Sequence, residues 1–265
     1  MNWINEAWTR LSQESAVLVT VTATKGSVPR GPGTLMLVFS RGELGTIGGG
    51  HLEFQALAHA RLILSGHSAP NRLSQVLGPS LGQCCGGAVD LSFEQVQLAD
   101  LPRLREQWVP QRSPLALFGG GHVGKALVQT LAPLPFAVRW IDSRDEIFPP
   151  DVPSGVDCEH SNPVQAAVTD LAPGSRVLIM SFSHAEDLDI VMACLKRQRE
   201  QGDLPFVGLI GSQTKWATFQ HRLEDRGFSA QEIAHITCPI GVPGITGKEP
   251  EVIAVAVAAQ LLQSL

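Results

Sequence analysis

The feature that most constrains the fold is a run of glycines set between two patterns of different period. Leu115–Phe118 is a short apolar run of strand character, and Gly119-Gly120-Gly121-His122-Val123-Gly124 follows it directly as G-x-G-x-x-G. Beyond the glycines, Val123, Leu127, Val128 and Leu131 recur at helical spacing. In such a strand, turn and helix the first glycine permits the tight turn, the second lets backbone approach a phosphate, and the third lets helix and strand touch. The helix N-terminus then attracts an anion. Asp142 ends the next apolar run at the distance where an acid can accept a hydrogen bond from a ribose hydroxyl. Glycines also serve bare turns, so Gly119, Gly121, Gly124 and Asp142 predict a fold first and a bound nucleotide second.

The rest of the second half repeats this alternation. Phe136–Ile141, Arg176–Phe182, Pro205–Ile210 and Ile236–Cys238 are further strand candidates, separated by helical patterns starting near His122, Pro163, Ala185, Gln213 and Lys248. The expectation is an α/β domain over residues 114–265, a Rossmann-like parallel sheet with helices on both faces. His184 and Lys215 fall where open parallel sheets place ligands. Each also has a plain reading, His184 as the cap of the helix beginning beside it and Lys215 as a solvated helix residue. No hydride-transfer partner or substrate-binding arginine pair is evident here, which argues against a working dehydrogenase.

Residues 1–100 read as a smaller α+β domain. Ile4, Ala7, Trp8 and Leu11 have helical spacing, Ala16–Thr24 is a strand, and Thr34–Phe39 with Glu43–Ile47 flank a short turn as a hairpin would. A helix over Leu52–Leu64 and strands at Leu73–Leu77 and Ala88–Val96 complete it. Residues 101–113, polar and broken by Pro102 and Pro110, read as a linker.

Composition sets the class. With 44% hydrophobic and 17% charged residues the chain can fold without disordered tracts, and a net charge of -5 gives no basis for nucleic-acid binding. The N-terminus lacks the basic start and apolar run of a signal peptide, and Val252–Leu262 is about half a bilayer span, so it reads as a buried helix. The five cysteines are odd in number and scattered, which fits a reducing cytoplasm better than a disulfide framework.

Two loops of the first half carry candidate chemistry. Gly82-Gln83-Cys84-Cys85-Gly86-Gly87 sets two thiols against residues without side chains, where a bulky ligand can approach and backbone N–H groups can favour the thiolate. Adjacent cysteines are poorly placed to chelate zinc together, so the loop suits molybdenum or sulfur chemistry better. Gly45-Thr46-Ile47-Gly48-Gly49-Gly50 runs into a helix with Glu53 in its first turn. Its N–H groups can hold a phosphate or pterin edge, and Glu53 either meets the ligand or simply favours the helix dipole. Ser27, Pro29 and Arg30 form a further loop, with Arg30 a candidate partner for an anion.

These loops, in this order, resemble the XdhC/CoxI family of molybdenum-hydroxylase accessory proteins, and so do Phe206–Ser212 with Lys215, and Cys238–Gly241 leading to Pro250–Ala254. The doubled cysteine is most similar to the xanthine dehydrogenase branch. Gly241–Lys248 is richer in glycine and proline than the family's usual wording. The resemblance implies a cytoplasmic carrier and chaperone, not an enzyme. It would hold the molybdenum cofactor (Mo-molybdopterin) as cargo, present it to a cysteine desulfurase and insert it into xanthine dehydrogenase, and it would self-associate as a homodimer. By the same likeness, Cys85 is the cofactor- and metal-binding residue, Cys84 its neighbour, and Gly48, Gly49, Gly50, Glu53, Gly86 and Gly87 line the pocket. The competing readings are an NAD(P)-dependent oxidoreductase and a scaffold that docks both proteins without touching cofactor.

Overall fold

The strand Ala16–Lys25 (β1) is apolar along most of its length because both of its faces are covered. Val17, Val19 and Val21 pack on Leu52, Ala56 and Ala60 of the helix Gly50–Leu64 (α2). Ala16 and Leu18 point the other way, against Ala7 and Leu11 of Trp3–Leu11 (α1) and Leu101 and Leu104 of Leu101–Trp108 (α3). The period-2 alternation of a strand thus sorts one sequence into two cores. The computed structural model describes residues 3–77, 86–108 and 112–265. The chain divides into two units, Met1–Pro110 and Gln111–Leu265.

In the first unit β2 (Leu35–Val38), β3 (Glu43–Gly45), β4 (Arg72–Val76) and β5 (Ala88–Val96) join β1 in one antiparallel sheet of order β3-β2-β1-β5-β4. Residues 101–108, expected within a linker, are helical. A 3₁₀ turn at Leu98–Asp100 leads in, closed by a capping box between Gln97 and Asp100. Pro102 sits in the first turn of α3, where its missing N–H is not needed. Arg103 and Arg105 are exposed on the outer face of a helix whose Leu101 and Leu104 are buried.

The second unit is a parallel sheet. Its strands are β6 (Ser113–Phe118), β7 (Phe136–Asp142), β8 (Val156–His160), β9 (Arg176–Ile179), β10 (Phe206–Leu209) and β11 (Ile236–Thr237), in the order β11-β10-β9-β6-β7-β8. Counted from β6 this is 3-2-1-4-5-6, the doubly wound order of dinucleotide-binding domains, as the α/β expectation required. Leu115 and Leu117 of β6 face α4 (His122–Leu131) and α8 (Pro250–Gln263). Ala116 and Phe118 face α5 (His184–Gln201) and α6 (Gln213–Glu224). α7 (Ala230–Ile233) leads into β11.

The pattern did not reveal β8, an edge strand with little apolar content, where charge does what burial does elsewhere: Glu159 pairs with Arg139 of β7. The helical pattern at Pro163 forms a 3₁₀ helix, Val164–Asp170. Arg197 fastens it to α5, donating to Val168 O (2.7 Å) and Leu171 O (2.7 Å) while paired with Asp203. Among the described residues no helix is long and apolar enough to cross a membrane.

If α3 belongs to the first core, Leu104→Ala should lower that unit's unfolding free energy by about 2–4 kcal/mol in urea denaturation. A linker side chain would give no measurable change.

Candidate functional site

Three glycine-bearing loops meet where β1 ends, β3 ends and β5 begins. A Cβ on Gly87 would stand 2.5 Å from Lys25 O and Ser27 O, and one on Gly48 would stand 2.6 Å from the Pro29 ring. No other residue admits such backbone contact. Gly48, Gly49 and Gly50 also hold successive positive φ angles of 122°, 74° and 63°, a path that L side chains rarely follow. Gly26 packs on Gly87. The segments 26–30, 46–50 and 86–87 are therefore one cluster. Cys84 and Cys85 lie outside the described residues, immediately before exposed Gly86.

The glycine loop already carries an anion of its own. Glu53 accepts from Ile47 N (3.0 Å), Gly49 N (3.1 Å) and the Thr46 hydroxyl, while Gly48 N donates to Thr46 Oγ1 (3.1 Å). The N–H groups read from sequence as a phosphate or pterin holder are thus used to brace the turn. What the cluster leaves bare is backbone at Gly49 and Gly86, where an added Cβ would meet nothing within 4 Å. Gly50 opens α2 next to Gly49, which provides no side-chain cap. Arg30 is exposed, its stem against Gly48.

In the second unit the strand order reverses direction between β6 and β9, and the glycine motif lies at that switch point. A Cβ on Gly119 would collide with Met180 O, and one on Gly124 with Gly119 O, so loop, strand and helix touch through backbone alone. Trp140 Nε1 donates to Gly119 O (2.9 Å) and fixes the turn from below. An added side chain at Gly121 would meet nothing, so the N-terminus of α4 is open there. A separate cavity of about 390 Å³, mostly apolar, lies along α4 between Lys125, Trp140, Pro149 and Pro250.

Asp142 is not presented to solvent. It is buried and accepts from Gly120 N (2.5 Å), from Arg144 N (2.9 Å), and from Arg144 Nε (2.9 Å) and Nη2 (2.8 Å). Burial alone would raise its pKa, but the Arg144 and backbone hydrogen bonds together outweigh it and hold the carboxyl below its ordinary value. The acceptor oxygens expected to meet a ribose are therefore both engaged by Arg144 in this structure.

His184 does not cap α5. Ser183 does, its hydroxyl accepting from Glu186 N (3.2 Å), and the His184 ring lies edge-on to Phe219 at 6.4 Å. Lys215 is no solvated helix residue. Its Nζ pairs with Asp187 Oδ2 (2.6 Å) and donates to Ile210 O (2.9 Å), while Asp187 Oδ1 accepts from Ser181 N (2.8 Å) and Ser181 Oγ (2.7 Å). Sequence reading missed Asp187, Arg144 and Glu186. The signal present for the two acids was the Ser183 cap followed by a doubled acid in the first turn of a helix.

Among the described cysteines none is an activated thiol. Burial pushes Cys194 up to about 12 and Cys238 up to about 11, and burial with Asp157 raises Cys158. No three His, Cys, Asp or Glu side chains converge as a metal nest among the described residues.

The geometry defines the class as a two-unit α/β protein with a dinucleotide-type switch point and a glycine cluster, which the sequence continues from a doubled cysteine. Residues 115–261 match the XdhC Rossmann domain, and residues 10–74 match the XdhC and CoxI family. The chain belongs to the XdhC and CoxI family. It is similar to the uncharacterized protein YqeB of Escherichia coli (strain K12), 27% identical over 99% of this chain. The chain spans about half of that relative's length, 46%. A crystal structure of a xanthine dehydrogenase from Bacillus halodurans superposes with a TM-score of 0.79 at 20% identity, covering 100% of this chain and 96% of that one, which shows a shared fold.

Glu53→Ala should leave the Ile47 and Gly49 amides without acceptors, cost about 2–3 kcal/mol and speed hydrogen exchange at both. Asp142, depressed in the folded state, contributes stability above the ordinary aspartate pKa of about 3.9 and loses it as pH falls through its lower value. The stability gap between wild type and Asp142→Asn should accordingly be full near neutrality and close below that pKa, as measured by thermal melts across pH.

Proposed function

We propose that this protein is an accessory protein of a molybdenum hydroxylase of the xanthine dehydrogenase kind, carrying the molybdenum cofactor as cargo. The observation that carries the reading is the convergence of three loops on the residues next to Cys85. Backbone at Gly49 and Gly86 is bare there, and both units of the chain match the same family. A dithiolene complex brings its own sulfur ligands, so it needs from the protein one soft donor and a place for a planar pterin. The Cys85 thiolate supplies the first, with Cys84 beside it. The cluster supports the second: glycine backbone can approach a flat ring closely, and Arg30 stands near for its phosphate.

Glu53 acts here through the loop it braces. It holds the turn in the conformation that leaves Gly49 without a neighbour, so its contribution is positioning. A cysteine desulfurase would add the sulfur, and a second copy of the chain completes the assembly. The protein then acts as a chaperone in a reducing compartment.

An NAD(P)-dependent oxidoreductase is the second reading, favoured by the 3-2-1-4-5-6 strand order and the open N-terminus of α4. Against it stands the internal pairing of Lys215 with Asp187, which takes up a half-buried cation beyond the end of β10. Anaerobically purified wild type should carry molybdenum and pterin fluorescence, and Cys85→Ala should lose at least about nine-tenths of both while melting unchanged. Equal metal content in the variant would reject the assignment, and a substrate-dependent absorbance change with NAD would favour the oxidoreductase.

A further inference from the structure

Arg144 occupies both groups that a nucleoside would need at the switch point. Its Nε and Nη2 donate to the two oxygens of Asp142 at 2.9 and 2.8 Å, and its guanidinium carbon lies 4.7 Å from the centroid of the Phe182 ring. A ribose diol seeks an acceptor such as the first, and a planar base seeks an aromatic face such as the second. Phe182 is 66% exposed in the loop between β9 and α5, so its ring is otherwise open to water.

Beside this pair stands an acceptor with nothing to accept. Glu186 Oε1 takes the Ser143 hydroxyl at 2.6 Å, but Oε2 is buried and has no hydrogen-bond partner. A buried carboxylate oxygen without a donor is costly, and native structures fill such positions. Arg144 follows Ser143 in the chain, and its pKa is raised first by its bonds to Asp142 and further by the charge of Glu186.

We propose that the switch point is a nucleoside-phosphate seat closed by Arg144 itself, opened when a nucleoside displaces the guanidinium from Asp142 and Phe182 toward the unpartnered oxygen of Glu186. The proposal rests on the reading that a nucleotide binds at the glycine motif. In the open state Asp142 accepts the ribose hydroxyls, Phe182 carries the base, and the phosphates meet the α4 N-terminus beside Gly121. No covalent bond changes. One charge-assisted pair is exchanged for another, so displacement costs the ligand only part of its affinity.

Calorimetric titration of the intact chain with ADP and with CDP tests this. Arg144→Ala should bind ADP at least about threefold more tightly than wild type, because the internal competitor is gone. Glu186→Gln, which offers the guanidinium a poorer acceptor, should weaken ADP binding in the wild-type background and have no effect on top of Arg144→Ala. Asp142→Asn should cancel the gain in that background. Should Arg144→Ala fail to fold by circular dichroism, Arg144→Gln removes the bidentate fork while keeping much of the stem.

Weaker or unchanged binding by the Arg144 variants, or an equal Glu186 effect in both backgrounds, overturns the proposal. Binding of neither nucleotide by any variant also overturns it. That outcome leaves the carrier reading intact, since molybdenum retention at Cys85 is read separately.

Discussion

Backbone meeting backbone, with no side chain between, is the constraint on which both units depend. In the second unit Gly119 touches Met180 O and Gly124 touches Gly119 O, so β6, β9 and α4 share one junction. In the first, Gly87 lies against Lys25 O and Ser27 O, and Gly45 against Leu35 O, where an added Cβ would stand only 2.8 Å away. Each contact is closer than a methyl group allows, so alanine would push apart elements that the flanking cores hold in place. The cores determine which elements pack, and the glycines determine how near the loops between them come.

That nearness has an electrostatic consequence. Loops brought so close expose N–H groups, and in both units a carboxylate of the protein takes some of them: Glu53 at Ile47 and Gly49, Asp142 at Gly120. The places that a glycine motif marks for an external anion are thereby partly self-satisfied and rigid before any ligand arrives. Preorganisation of this kind is compatible with the proposed carrier role, because little ordering cost accompanies binding.

The sequence was most legible where period and turn chemistry agree. The G-x-G-x-x-G junction after an apolar run led to the parallel sheet, and the valines of β1 led to a strand in a smaller α+β domain. Legibility failed where one residue can serve two ends. Pro102 reads as a breaker, yet in the first turn of α3 it favours the helix. Val156–His160 has no apolar alternation because an edge strand need bury little.

At the candidate sites the residue types were readable and their partners were not. Asp142 stood at the ribose position, but nothing in the chain announced that Arg144, two residues on, would reach back to it. Lys215 and Asp187 are 28 residues apart and meet only through the fold. The glycines of the first unit were correctly marked as a loop, whereas the Glu53 carboxylate that fills it could equally have faced solvent, since helix-dipole preference and loop bracing favour the same residue type.

The most direct test is anaerobic hydrogen exchange of the chain with and without molybdenum cofactor. The account predicts protection in residues 26–30, 46–53 and 82–87, since cargo seated against these loops slows the local openings through which their amides exchange. Unchanged exchange in all three segments, with cofactor demonstrably bound, would contradict it.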